Sequence, residues 1–136
     1  MTDNLSKKKR SYIMSQIRSR DTKVEKIIFR ELQKRKIYFQ KNYNRIAGSP
    51  DIALPKKKRA IFIDGDFWHG YQFPKLKKRL PNKFWKEKIR KNIRRDKLYR
   101  SRLKRAGWKI LRIWEHQIKN DFGKTTKKIL HFLKFK

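Results

Sequence analysis

The chain has 136 residues, enough for one domain with a single modest core. Forty-two Lys and Arg face eleven Asp and Glu, a net charge of +31 that excludes an ordinary neutral globular protein and points to a polyanionic partner. No apolar run reaches membrane-spanning length, the N-terminus lacks the apolar core of a signal peptide, and with no cysteine there is neither disulfide nor thiolate zinc site. The expected protein is therefore intracellular, with nucleic acid favoured over a membrane surface as its partner.

Residues 1–20 form a basic arm. Ile13, Met14 and Ile17 give it one small apolar edge at helical spacing, while Lys7, Lys8, Lys9, Arg10, Arg18 and Arg20 carry its charge. So small an edge would not hold six cations against other basic surface, so the arm is expected to lie along DNA phosphates. The remainder, residues 21–136, reads as one domain. Its first helix runs from a Thr22 cap to about Arg35, with Val24, Ile27, Ile28 and Leu32 on the inner face. Thr22-x-x-Glu25 fits a capping box, the role the pattern favours, although Glu25 at the helix start also stands where it can point into a metal site. Residues 37–43 alternate as a first strand.

The stretch from Gly48 to Gly70, GSPDIALPKKKRAIFIDGDFWHG, concentrates the chemistry. Three of the eleven acids, Asp51, Asp64 and Asp66, lie in it. Asp51–Leu54 and Ala60–Asp64 read as two strands of a hairpin joined by an exposed basic linker, which brings Asp51 and Asp64 to the same end. Two carboxylates so placed in a very basic chain suggest a divalent metal beside a phosphate backbone. Taken singly, each Asp is as readily a turn residue. Phe67, Trp68 and His69 follow at once.

A basic loop leads to a long helix from an Asn82 cap to about Ala106. Its inner stripe is Trp85, Ile89, Ile93, Asp96, Tyr99 and Leu103, and its other face carries Lys86, Arg90, Arg94, Lys97, Arg100 and Lys104. An acid on the inner stripe needs a partner, and a neighbouring Arg or Lys is expected for Asp96. Gly107 ends the helix, and Trp108–Trp114, WKILRIW, reads as a strand in the sheet interior. Asp121 opens a final helix packed through Ile129, Phe132 and Leu133. The resulting fold class is α/β: a small mixed sheet with helices on its faces.

Pro50-Asp51, a gap, then an apolar strand ending in Asp64 resembles the PD-(D/E)xK nuclease pattern, with Asp66 where its lysine belongs. GSPDIAL, IFIDGDFWHG, FWKEKIRKNIRRD and GWKILRIWE, in that order, together with RSRDTKVE upstream, resemble the very short patch repair (Vsr) endonuclease family from about Met14 to Glu115. The resemblance implies a restriction-endonuclease-like fold and a Mg²⁺-dependent enzyme that nicks duplex DNA beside a T·G mismatch. It implies Asp51 as metal-binding aspartate, Ile63 contributing through its carbonyl, His69 as catalytic histidine and Glu25 as a supporting acid. Phe67, Trp68 and Trp85 would be the aromatics that wedge into the duplex, although Trp85 alone is as readily core. Some members carry His in place of Asp64 and a zinc-binding cysteine in place of Asp66. Here Asp64 is expected to act as a second metal ligand instead. A monomer in a prokaryotic cytoplasm, associated with the nucleoid and with a cytosine methyltransferase or mismatch-repair system, completes the expectation. Two rival readings are a sequence-specific restriction-type nuclease on the same fold and a non-catalytic nucleic-acid-binding module.

Overall fold

The computed structural model describes residues 23–66, 69–73, 75 and 83–134. The basic arm, the Thr22 and Asn82 caps, Phe67 and Trp68 lie outside the described residues. The elements in order are α1 (Lys23–Lys34), β1 (Gln40–Lys41), β2 (Ile52–Leu54), β3 (Arg59–Asp64), α2 (Lys83–Arg105), β4 (Lys109–Trp114), α3 (Glu115–Asn120) and α4 (Phe122–Lys134). The sheet order is β1-β2-β3-β4, antiparallel through β3 and parallel between β3 and β4. It is the mixed sheet with flanking helices that the sequence pattern predicts, the parallel step being made by the α2 crossover.

The two faces of the sheet are covered differently because side chains alternate along a strand. Ile52, Ile61, Ile63 and Ile113 turn to one face and pack with Val24, Ile28, Phe29 and Leu32 of α1, Ile118 of α3, and Ile129 and Leu133 of α4. Ala53, Ala60 and Phe62 turn to the other, against Leu103 of α2 and Trp108. On α1, Phe29 takes an inward place while Ile27, assigned inward above, is 38% exposed, since it falls off the 24, 28, 32 stripe.

Two expectations need correction, and one short helix went without a sequence signal. The first strand is two residues long rather than seven: β2 offers three residues to pair with, and Asn42 turns to positive φ just after Lys41. Among the described residues β4 is an edge strand rather than an interior one, bonded only to β3. Its apolar character serves the helices beneath it, since Leu111 and Ile113 pack on the first face and Ile110 on the second. The helix α3 had no periodic signal because it is six residues long; Gln117 accepts from the Trp114 amide at 2.8 Å to start it. Asp121 then opens α4, taking the Lys124 amide on its carboxylate at 3.3 Å. Gly107 closes α2 with φ +89, its amide and that of Trp108 bonding back to Lys104 and Leu103. Among the described residues no helix is long and apolar enough to cross a membrane.

Candidate active site

The hairpin places Asp51 just before β2 and Asp64 at the end of β3, with Ile52 opposite Ile61. Both carboxylates therefore lie at one end of the sheet. There they line a cavity of ≈ 290 Å³ with Ile63, His69, Arg95, Asp96, Tyr99 and Arg100. Ile63 lines the cavity although its side chain belongs to the core, which leaves its backbone as the part that faces the site.

Asp51 is buried and accepts the Ile63 amide on Oδ2 at 2.6 Å. Glu25, only 2% exposed, reaches it from the first turn of α1 and shares a hydrogen bond with it. The Glu25 carboxyl thus reaches the site, while Thr22, its expected capping-box partner, lies outside the described residues. Burial first, and the adjacent Glu25 second, hold the Asp51 carboxyl well above the usual carboxylate range, against the pull of the Ile63 amide. Two carboxyls packed together away from water are unstable as a doubly charged pair unless a cation joins them.

The other acids are arranged oppositely. Arg112, at the centre of β4 and opposite Phe62, donates a short hydrogen bond from Nε to Asp64 Oδ2. The same guanidinium lies 3.9 Å from Asp96 Oδ2 and stacks 4.0 Å from the Trp114 ring centre. Asp96 holds His69, with Nδ1 and Oδ2 2.6 Å apart, and His69 Nε2 stands 3.6 Å from Asp64 Oδ1. A closed ring of contacts results: Arg112, Asp64, His69, Asp96. The expected cationic partners of Asp96 are present in Arg112 and in Arg95 at 3.7 Å, but its shortest contact is the imidazole. His69 is delivered there by Gly70, whose φ of +74 and missing side chain let the loop press onto α2; a Cβ would sit 2.5 Å from Ile93 Cδ1.

Trp85 lies instead on the first turn of α2, edge-on to the half-exposed Phe84 with ring centres 5.2 Å apart, and does not line the cavity. Asp66, also outside the cavity, bonds His116 Nδ1 at 2.8 Å, and Tyr71 packs against both His116 and Trp114. An acid, an imidazole and two aromatics thus tie the loop after β3 to the end of β4. Arg112, Arg95 and the proximity of Arg100 were not visible in sequence. Arg100, assigned to the outer face of the helix, turns into the cavity. The one available signal was the lone acid on the inner stripe of so basic a helix.

Among the described residues no three His, Asp or Glu side chains stand together as a ready-made metal cage. A hard divalent cation needs none: Mg²⁺ is commonly held by one or two carboxylates, its other positions going to water and substrate phosphate. Asp51, Asp64 and the Ile63 carbonyl are hard oxygen donors, and the compressed Asp51–Glu25 pair is a place where a dication is electrostatically welcome. The residues fit the group.

Comparison with known proteins gives concordant results. The family described as DNA mismatch endonuclease Vsr matches residues 2–75. The type II nicking enzyme V.NmeAIP of Neisseria meningitidis serogroup A is 39% identical over 121 residues, covering 88% of this chain and 86% of its own. The type II nicking enzyme V.XorIIP of Xanthomonas oryzae is 34% identical over 128 residues, 90% of each chain. The DNA mismatch endonuclease Vsr of Escherichia coli is 36% identical over 118 residues, 85% of this chain and 74% of its own.

Proposed function

Since the chain belongs to the DNA mismatch endonuclease Vsr family and is a DNA endonuclease, we propose that it nicks one strand of duplex DNA beside the thymine of a T·G mismatch. Family membership sets aside the non-catalytic binding module. The observation that carries the reading is the pairing at one sheet end of a compressed acid pair, Asp51 with Glu25, and a histidine held by Asp96. A single nick, rather than a double-strand cut, accords with the nicking enzymes among its relatives.

Asp51, with Asp64 and the Ile63 carbonyl, would hold Mg²⁺, and Glu25 supports Asp51 from behind. When bound, the ion supplies Lewis-acid polarisation of the phosphate and makes a nearby water more acidic. The protein's own groups orient and move the protons. With Asp96 accepting from Nδ1, Nε2, which stands 3.6 Å from Asp64 Oδ1, is the nitrogen left to take or give a proton at the scissile phosphate. Asp96 fixes the ring while Arg112 keeps Asp96 and Asp64 compensated, so His69 is not pulled onto Asp64.

Mismatch choice is assigned to aromatic wedging by Phe67 and Trp68, with Trp85 on the flank. Unstacking costs a few kcal/mol per step and less at a mismatch, so a wedge itself generates preference. The basic arm, through Lys7, Lys8, Lys9, Arg10 and Arg18 with Met14 and Ile17, adds phosphate contacts that position without reading sequence. In the cell the reading places a monomer on the nucleoid, downstream of a cytosine methyltransferase or beside a mismatch-repair system.

The test uses T·G heteroduplex and fully paired DNA, each strand end-labelled in turn, with and without Mg²⁺. Cleavage of the T strand alone, only in the heteroduplex and only with metal, is the expected result. Equal cutting of paired duplex at a fixed motif would favour the restriction-type alternative, and no cutting of either would overturn the nuclease reading.

A further inference from the structure

Two arginines line the cavity, and they are not equivalent. Arg95 has a carboxylate oxygen of Asp96 at 3.7 Å. Arg100, on the next turn of α2 and partly buried, has no carboxylate within 4.0 Å among the described residues. The acids nearest to it in the site, Asp64 and Asp96, are already held by Arg112 from β4. The lysine of the PD-(D/E)xK pattern is also absent, since Asp66 occupies its place and turns to His116 outside the cavity. The site thus has a pattern cation missing and an uncommitted guanidinium facing the space where the substrate phosphate must sit.

We propose that Arg100 grips the scissile phosphate, supplying from the long helix the cation that the motif does not supply from the strand. The inference rests on the endonuclease reading and names a substrate-contacting residue within it. Arg112 and Arg100 divide the labour: one compensates the acids, which leaves the other free for the substrate. The planar fork of an arginine suits two phosphate oxygens at once, as a lysine's point charge does not. Burial first and the neighbouring Arg112 second disfavour the Arg100 cation, outweighing the pull of Asp96 and Asp64, an arrangement that an arriving anion relieves. Lys97 and Lys104, exposed on the same helix, have no such environment and serve as ordinary backbone contacts.

The experiment measures DNA affinity rather than cleavage. The nick is first mapped with Mg²⁺. The full-length protein in EDTA is then titrated with that duplex and with one carrying an uncharged methylphosphonate at the mapped phosphate. Wild type should bind the neutral duplex ~10-fold or more weakly, the range of a charge-assisted hydrogen bond. Arg100→Gln should bind the ordinary duplex comparably weakly and lose almost nothing further on the neutral one, because the two changes remove the same contact. Lys104→Gln should keep the full wild-type penalty. Additive losses in Arg100→Gln, or the same loss of coupling in Lys104→Gln, would overturn the assignment while leaving the nuclease intact. Failure to map any nick on any duplex would instead remove the endonuclease reading and this assignment with it.

Discussion

The two halves of the site handle the same problem in opposite ways. Asp64 and Asp96 are acids whose charge is met inside the protein, by Arg112 on one side and His69 on the other. Asp51 is buried like Asp64, but the charges that act on it are those of Glu25 and Asp64, both acids. A compensated pair of carboxylates, Asp64 buried and Asp96 half-buried, keeps its geometry with or without ligand. An acid pressed against another acid is tolerable only when protonated or when a cation arrives. The first half holds a histidine still and, through Asp64, borders the place of the ion; the second is built to wait for it.

Breaking the second half should have the largest effect. Asp51→Ala is expected to lower the nicking rate by ~10³-fold or more, the several kcal/mol that a metal's Lewis acidity contributes. Affinity for DNA measured in EDTA should be unchanged or tighter, since a negative charge near phosphate is gone. Full activity in this variant would dissolve the contrast. In the first half, Asp96→Asn should slow single-turnover nicking by ~10²-fold, at the low end of what a positioned proton carrier supplies. Its Mg²⁺ requirement should not change, and a shifted metal requirement would place Asp96 on the wrong side of the comparison.

Stability should separate the halves by sign. Arg112→Gln strands two acids and should cost ~1–3 kcal/mol in a denaturation experiment, with Asp64→Asn in the same chain recovering much of it. Asp51→Asn should do the reverse and raise the melting temperature at neutral pH in EDTA. The raised Asp51 carboxyl contributes stability that is complete below its unfolded value of ~3.9 and is lost as pH rises through its higher folded value. Melting temperature in EDTA should therefore fall over that interval, less so in Asp51→Asn, and Mg²⁺ should restore it. A melting profile in which Asp51→Asn tracks wild type across the whole interval would mean that Asp51 is compensated after all.

The difference between the halves also marks what the sequence could disclose. Asp51 and Asp64 were legible because a Pro-Asp turn and an apolar strand fix their place locally, and hairpin pairing needs only a short link. His69 and Asp96 stand 27 positions apart, and Asp64 and Arg112 stand 48 apart, so their meeting depends on how α2 and β4 fold back onto the sheet. No local pattern encodes that. Arg100 follows the outward 90, 94, 97 spacing, yet it lines the cavity, because the acids that draw it there come from distant parts of the chain. Lengths failed for a similar reason: whether residues 37–43 make a long strand depends on how much partner β2 provides, and that partner is three residues long.

The position of β4 carries one more consequence. WKILRIW is the most apolar strand-forming run in the chain, and its outer edge pairs with no strand among the described residues. Such an edge is a template on which a second copy can add its own strand and begin to aggregate. The charges that interrupt the run are Lys109 at its start and Arg112 at its centre. Arg112 is therefore also a gatekeeper of solubility, and an apolar replacement there would leave a smooth sticky border beside a weakened core.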